Sequence, residues 1–195
     1  MHKHLFLLIC FLAYVRSATA QEIMASEIIA RLNAGQAITL EDVRITGDLD
    51  LTQLTRQMND AVYPEQGKTA YVFSNLIGQP VVFNRCTFAG RLILCRKETR
   101  GDSILEYRVV FTQDVTWRAC VFEQDADFEL TNFDGRVSFR ESTFLKQPRF
   151  VRIGLTQPPD LTGLVLRDKC LYQRYQRSQR QYLTAVALQA LWQQP

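Results

Sequence analysis

Histidine is almost missing from this chain of 195 residues: His2 and His4 are the two it has, both inside an expected leader. The chain beyond that leader has no imidazole. Ser-His-Asp and Cys-His nucleophilic sites, and histidine-ligated metals, are therefore excluded. No C-x-x-C pair occurs, so zinc-ribbon and thioredoxin-type chemistry has no sequence support. Long apolar runs are lacking as well. The run Leu5 to Val15 has eleven residues before Arg16, short of the roughly 20 that cross a bilayer. Neither sign of charge dominates. Subtracting Lys3 and Arg16 from 23 basic residues leaves 21 against 20 acidic ones, a net +1, which gives no electrostatic case for nucleic acid or an anionic membrane as partner.

The first twenty residues have the layout of a secretory signal. Met1-His2-Lys3-His4 is a short basic start, Leu5 to Val15 the apolar core, and Ala18-Thr19-Ala20 an A-x-A site, so cleavage is expected after Ala20. A lipoprotein signal is disfavoured, because Cys10 sits within the apolar run behind Ile9; the competing reading is an uncleaved anchor. The sequence therefore predicts export, to the periplasm or beyond, with no transmembrane span in the mature chain. Cys86, Cys95, Cys120 and Cys170 remain after cleavage. An even number in an exported protein permits two disulfides without requiring them.

What the chain does have is a ladder of rings. Phe111, Trp117, Phe122, Phe128, Phe133, Phe139, Phe144 and Phe150 succeed one another by alternating steps of six and five. Neither a 3.6 nor a 2.0 period produces that spacing. Two residues before the rings from Trp117 to Phe150 stand Val115, Cys120, Ala126, Thr131, Val137, Ser142 and Pro148, all small or compact. Each short extended piece thus offers one small and one large inward side chain with an exposed residue between them. Four such sides make a turn of about 22 residues, the signature of a solenoid. The ladder extends back through Leu40, Ile45 and Leu51, then Val72, Ile77, Phe83, Phe88 and Leu94, and forward through Leu155, Leu161, Leu166 and Tyr172. Polar stretches interrupt it near 52–70 and 95–109 and read as surface excursions.

The small-x-Phe-x-x unit over Ile38 to Tyr172 resembles the pentapeptide-repeat family. The stretch Ala25 to Gly35 followed by Gly47-Asp48-Leu49-Asp50-Leu51 is similar to the helical start of one branch of these proteins. The resemblance implies an all-β solenoid, a right-handed quadrilateral β-helix often closed by helices and often self-associating through one end. The expected layout is a signal peptide over 1–20, an N-terminal helical cap over 21–37, the β-helix over 38–172 and a C-terminal capping helix over 173–195. In the first cap, Ala25 to Asn33 is read as an amphipathic helix with Ser26 as N-cap and Gly35 as its stop. In the last, Leu171, Tyr175, Ser178, Tyr182, Ala185 and Trp192 share one helical side.

A turn of about 22 residues puts Phe111, Phe133 and Leu155 in one inward column and Trp117, Phe139 and Leu161 in the next. Phe122, Phe144 and Leu166 make a third column, and Phe128, Phe150 and Tyr172 a fourth. These rings are core rather than a ligand-stacking track. Cys86 and Cys120 fall at the same inward position on successive coils, about 5 Å apart. Side chains running parallel up a ladder suit the disulfide dihedral poorly, so two thiols are expected. Asp125 and Asp127, with Glu123 and Glu129, could serve acid–base hydrolysis, but are read as a solvated, salt-linked outer surface with Arg118, Arg136 and Arg140 on the neighbouring wall. Arg167, Lys169, Arg174, Arg177 and Arg180, interleaved with Tyr172, Tyr175 and Tyr182, form the one basic cluster and read as the wet side of the capping helix.

No catalytic, cofactor-binding or metal-ligating residue is nominated, and no cofactor is implied. The sequence reads as an exported, non-enzymatic binding or scaffold protein with an unidentified protein or envelope partner, and with self-pairing through a solenoid end as one mode of assembly. Two readings compete. Topoisomerase inhibition by duplex mimicry would need a continuous acidic column, whereas Arg118, Glu123, Glu129, Asp134 and Arg140 alternate in sign. A polysaccharide-active enzyme would need a groove with convergent carboxylates and basic groups.

Overall fold

The structure, a computed structural model, describes residues 21–55, 57–174 and 181–183; the expected leader lies outside them. The chain winds as a β-helix whose coils add short strands to four parallel ladders. The first contains β2 (Ile38–Glu41), β7 (Val81–Asn84), β12 (Val115–Arg118) and β16 (Val137–Ser138). The second contains β3 (Val43–Thr46), β8 (Thr87–Phe88), β13 (Val121–Phe122), β17 (Thr143–Phe144) and β19 (Val165–Leu166). β4 (Leu49–Asp50), β9 (Leu92–Ile93), β14 (Ala126–Asp127), the start of β18 (Arg149–Leu155) and β20 (Cys170–Arg174) form the third. The fourth joins β6 (Lys68–Ile77), β11 (Ser103–Phe111), β15 (Asn132–Phe133) and the end of β18.

Parallel, in-register pairing sets each side chain over its counterpart in the next coil, and this makes the ring columns. Within a column the rings lie nearly parallel. Phe122 and Phe144 are 4.3 Å apart, Phe128 and Phe150 4.8 Å, Trp117 and Phe139 5.0 Å, and Phe111 and Phe133 5.3 Å. Between columns they meet edge to face, as Phe111 meets Trp117 at 85° and Phe128 meets Phe139 at 87°. Both arrangements suit the ring quadrupole. The compact residues two positions earlier are buried with them. All four expected columns form, and their members from Phe111 to Phe150 are buried.

The corners explain how side chains other than glycine tolerate so tight a coil. Asp42, Arg85, Ala119, Glu141 and Gly163 have φ of 55°, 53°, 50°, 60° and 69°. The four non-glycine members each donate a backbone N–H to a carbonyl of the next coil, as Ala119 does to Arg140 at 2.8 Å. That repeated bond offsets a conformation that costs an L-residue roughly 1–2 kcal/mol. Gly90 answers a different need: a Cβ there would lie 2.1 Å from the Gly47 carbonyl oxygen of the coil below.

The ends and the interruptions depart from the sequence reading. Helix α1 (Ala25–Asn33) buries Ala25, Ile28 and Leu32. It stops at Gly35 (φ 72°), with Gly35 N–H bonded to the Leu32 carbonyl and Gln36 N–H to that of Arg31, a Schellman closure. Its N-cap is Met24, with no side-chain cap, rather than Ser26. The reason is β1 (Gln21–Met24), an unexpected strand that pairs in parallel with β3 and runs directly into the helix. One buried residue, Ile23, among exposed neighbours left too short an alternation to read.

The two polar stretches are not loops. β5 (Gln57–Glu65) folds back on β6, and β10 (Cys95–Arg100) on β11. Gln66 and Gly67 both take positive φ in the first turn, as tight hairpin turns require. The hairpins also pair with each other: Thr69 to Ile77 lies in parallel register with Ser103 to Phe111. The result is a four-stranded wing, β5-β6-β11-β10, continuous with the fourth ladder. At the other end, most of the expected capping helix over 173–195 lies outside the described residues, and the parts that are described are strands rather than helix. Cys170–Arg174 is β20, paired with β18 and antiparallel to β21 (Gln181–Leu183). Residues 175–180 and 184–195, with Arg177, Arg180, Tyr175 and Trp192, lie outside the described residues.

Candidate functional site

With rings filling the coil, chemistry falls to the outer walls. On the third ladder the outward residues Ile93, Asp127 and Arg149 stack in register, because inward Leu92, Ala126 and Pro148 precede them. Arg91, Asp125 and Gln147 stand beside them at the preceding corner, and the six line a recess of about 400 Å³. Asp125 and Asp127 thus come to one place. Sequence reasoning missed Arg91, Gln147 and Arg149. The 22-residue turn would have aligned Asp125 with Gln147 and Asp127 with Arg149, but the second hairpin lengthens the preceding coil and hid Arg91.

Several of these groups are already engaged. Arg91 holds Asp48 of the coil below through Nε at 3.0 Å and a second nitrogen at 2.6 Å. These bonds, with one from the Arg91 backbone N–H, keep the Asp48 carboxyl below its usual range. Asp127 accepts the Glu129 backbone N–H at 2.9 Å and lies 3.6 Å from Arg149. Burial nevertheless pushes the Asp127 carboxyl up, since desolvation disfavours the charged form. Three groups remain unmet. The Asp125 carboxylate is exposed and forms no ion pair or hydrogen bond among the described residues, the Gln147 amide has no partner among them, and the Arg149 Nε–H is buried without one.

Arg149 leads from the recess to a second charged cluster beneath the wing. It and Arg152 grip Glu129, Arg152 at 2.8 Å. On the wing Glu106, whose side chain is 2% exposed, accepts Lys97 at 2.7 Å and the Tyr63 hydroxyl at 3.2 Å. Burial and the Glu106 charge push Tyr63 up to about 12, and burial with the Glu129 charge pushes the Cys95 thiol to about 12. Such a thiol is a poor nucleophile. On the wing's other face Arg96 stacks on Tyr107, 5.1 Å from the ring centroid, and Tyr107 lies 5.3 Å from Phe73. With their faces taken by one another, these rings join the hairpins rather than forming a flat sugar-stacking platform.

The other sequence-selected residues are dispersed. Glu123 lies just past β13 of the second ladder, paired bidentately with Arg44 at 2.7 and 2.9 Å. Arg118 and Arg140 meet Glu141 and, for Arg140, Asp160, while the Arg136 backbone N–H meets Asp114. Contrary to the sequence reading, they do not lie on the wall next to the Asp125–Asp127 pair: they flank the first ladder, and the second ladder stands between it and the third. Arg167 and Lys169 are exposed, whereas Tyr172 is buried in its ring column.

Cys86 and Cys120 stack as expected, and neither they nor Cys95 and Cys170 form a disulfide. A thiol–thiol hydrogen bond pulls Cys86 down and, with burial, pushes Cys120 up. Among the described residues no three His, Cys, Asp or Glu side chains form a metal-holding group, and no helix is long and apolar enough to cross a membrane.

Residues 107–150 match the family model for pentapeptide repeats, in nine copies. No match was found among curated proteins or solved structures.

Proposed function

Because the chain is a pentapeptide-repeat protein, we propose that it is an exported, non-enzymatic binding or scaffold protein, built on a right-handed, four-sided coil that presents its third wall and wing to an envelope partner. The observation that carries this reading is the solid interior. Rings stacked within columns and edge-on between them leave recognition to the outside.

Export rests on the leader, its basic start, its apolar core and the A-x-A site before Gln21. The state of the carboxylates supports a non-enzymatic role. Asp127, the one whose pKa is raised, is tied to the Glu129 N–H and faces Arg149, an engaged group rather than a free proton donor. Duplex mimicry finds little support in the corner columns, where Asp48, Arg91, Asp125 and Gln147 succeed one another without a continuous acidic run.

Crosslinking and pull-down from the native envelope fraction tests the proposal. A specific envelope partner is the expected result. Recovery of the chain in the cytosol alone overturns export, and recovery of copies of itself alone replaces partner binding with a self-assembling scaffold.

A further inference from the structure

We infer that the third-wall recess binds a hydroxyl-rich, non-anionic saccharide. This rests on the binding-protein reading and names its ligand class. The argument starts from the unmet groups. Among the described residues the Asp125 carboxylate accepts from no donor and the Gln147 amide, which can both donate and accept, has no partner, and both line the recess. A hydroxyl both donates and accepts. One diol can therefore donate a hydrogen bond to Asp125 and accept one from the Gln147 amide without bringing charge into the site.

Charge narrows the class. Arg91 is committed to Asp48, and Arg149 and Arg152 to Glu129, with Asp127 against Arg149. Counting Arg91, Arg149 and Arg152 against Asp48, Asp125, Asp127 and Glu129 leaves three positive charges and four negative. The surplus negative charge sits at the unpaired Asp125, so a uronate or phosphate polymer would be repelled where it must hydrogen-bond.

Dimensions agree. The lining residues come from three successive coils, and two strand spacings are about 10 Å, the span of a disaccharide. Ile93, partly exposed between Asp127 and the lower coil, supplies an apolar patch for the C–H face of a ring. The recess volume lies at the lower end of the usual range for small-ligand sites, about 300–1,000 Å³.

The test is titration of the full protein with cellotetraose, N-acetylchitotetraose and polygalacturonate, followed by calorimetry and by product analysis. Binding of a neutral oligosaccharide, with polygalacturonate excluded, is expected. Asp125→Ala and Gln147→Ala should each weaken it about tenfold or more, the effect of losing a hydrogen bond at a charged or desolvated site. Neither side chain has a partner among the described residues, and far-ultraviolet circular dichroism would verify that both variants fold. Undiminished binding by Asp125→Ala, no binding by any neutral oligosaccharide, or preference for polygalacturonate overturns the assignment. Cleavage of a bound oligosaccharide upholds the ligand class and overturns the non-enzymatic reading, whereas envelope recovery without saccharide binding upholds that reading and rejects this one.

Discussion

At the scale of the residue, the coil depends on backbone positions that two small side chains occupy for opposite reasons. Ala119 sits at φ 50°, where its Cβ is strained and glycine is not. Ala119→Gly should be stabilising by about 0.5 kcal/mol, the strain relieved exceeding the extra freedom glycine gains in the unfolded chain. Gly90→Ala should cost about 3 kcal/mol, because its new Cβ would fall 2.1 Å from a backbone oxygen that belongs to the preceding coil and overpacking against backbone relaxes poorly. Equilibrium denaturant unfolding of both variants checks the two signs. Nothing in the local sequence distinguishes Ala119 from the other compact residues; the left-handed corner becomes visible only in the backbone.

At the scale of the element, strands are joined by charge pairs that cross coils. Arg44 on β3 reaches Glu123 after β13, with β8 between them. The Arg44 hydrogen bond holds the Glu123 carboxyl below its ordinary 4.5. A carboxyl depressed in the folded state contributes stability that is complete above 4.5 and disappears as pH falls through the lower, folded value. A double-mutant cycle with Arg44→Ala and Glu123→Ala should therefore show about 0.5 kcal/mol of coupling at neutral pH, for a pair this open to solvent. The coupling should be absent in strong acid and smaller in high salt.

The wing is the second element-scale case. Lys97→Met leaves the buried Glu106 carboxylate with the Tyr63 hydroxyl alone, and an uncompensated buried charge of this kind costs about 3 kcal/mol. The loss should be local. Amide exchange should speed up in β10 and β11 while the ring-column strands β13 and β17 keep their protection, and adding Glu106→Gln should restore the wing. The wing's polar composition reads as loop because the buried Glu106 carboxylate is held there by Lys97 across the strand pair. Hydropathy alone does not reveal that they pair.

At the scale of the whole molecule, Trp117 links columns that would otherwise be independent. It stacks on Phe139 and Phe83 in its own column and meets Phe111, Phe128 and Phe133 edge on. Trp117→Ala should cost about 3–5 kcal/mol and, because the contacts run both along and across the coil, should lower the unfolding midpoint of the entire β-helix rather than fray one turn. Calorimetry showing a single displaced transition is the expected result. Separate transitions would mean the coils are less coupled than the ring contacts imply.

The sequence by itself determined the repeat. A large side chain every five or six residues with a compact one two places earlier can be buried on both counts only by a coil, and its period fixed which rings stack. It also excluded imidazole chemistry through what it lacks. Only the tertiary structure decided where the excursions go and what the outer wall can hold. Hairpin pairing is non-local, so the register joining Thr69–Ile77 to Ser103–Phe111 leaves no local period. The Asp125–Gln147–Arg149 recess depends on which outward charges are already spent on partners in other coils. Periodicity specifies stacking because stacking repeats; a site is specified by exceptions to the repeat, and those are settled only when the coils lie side by side.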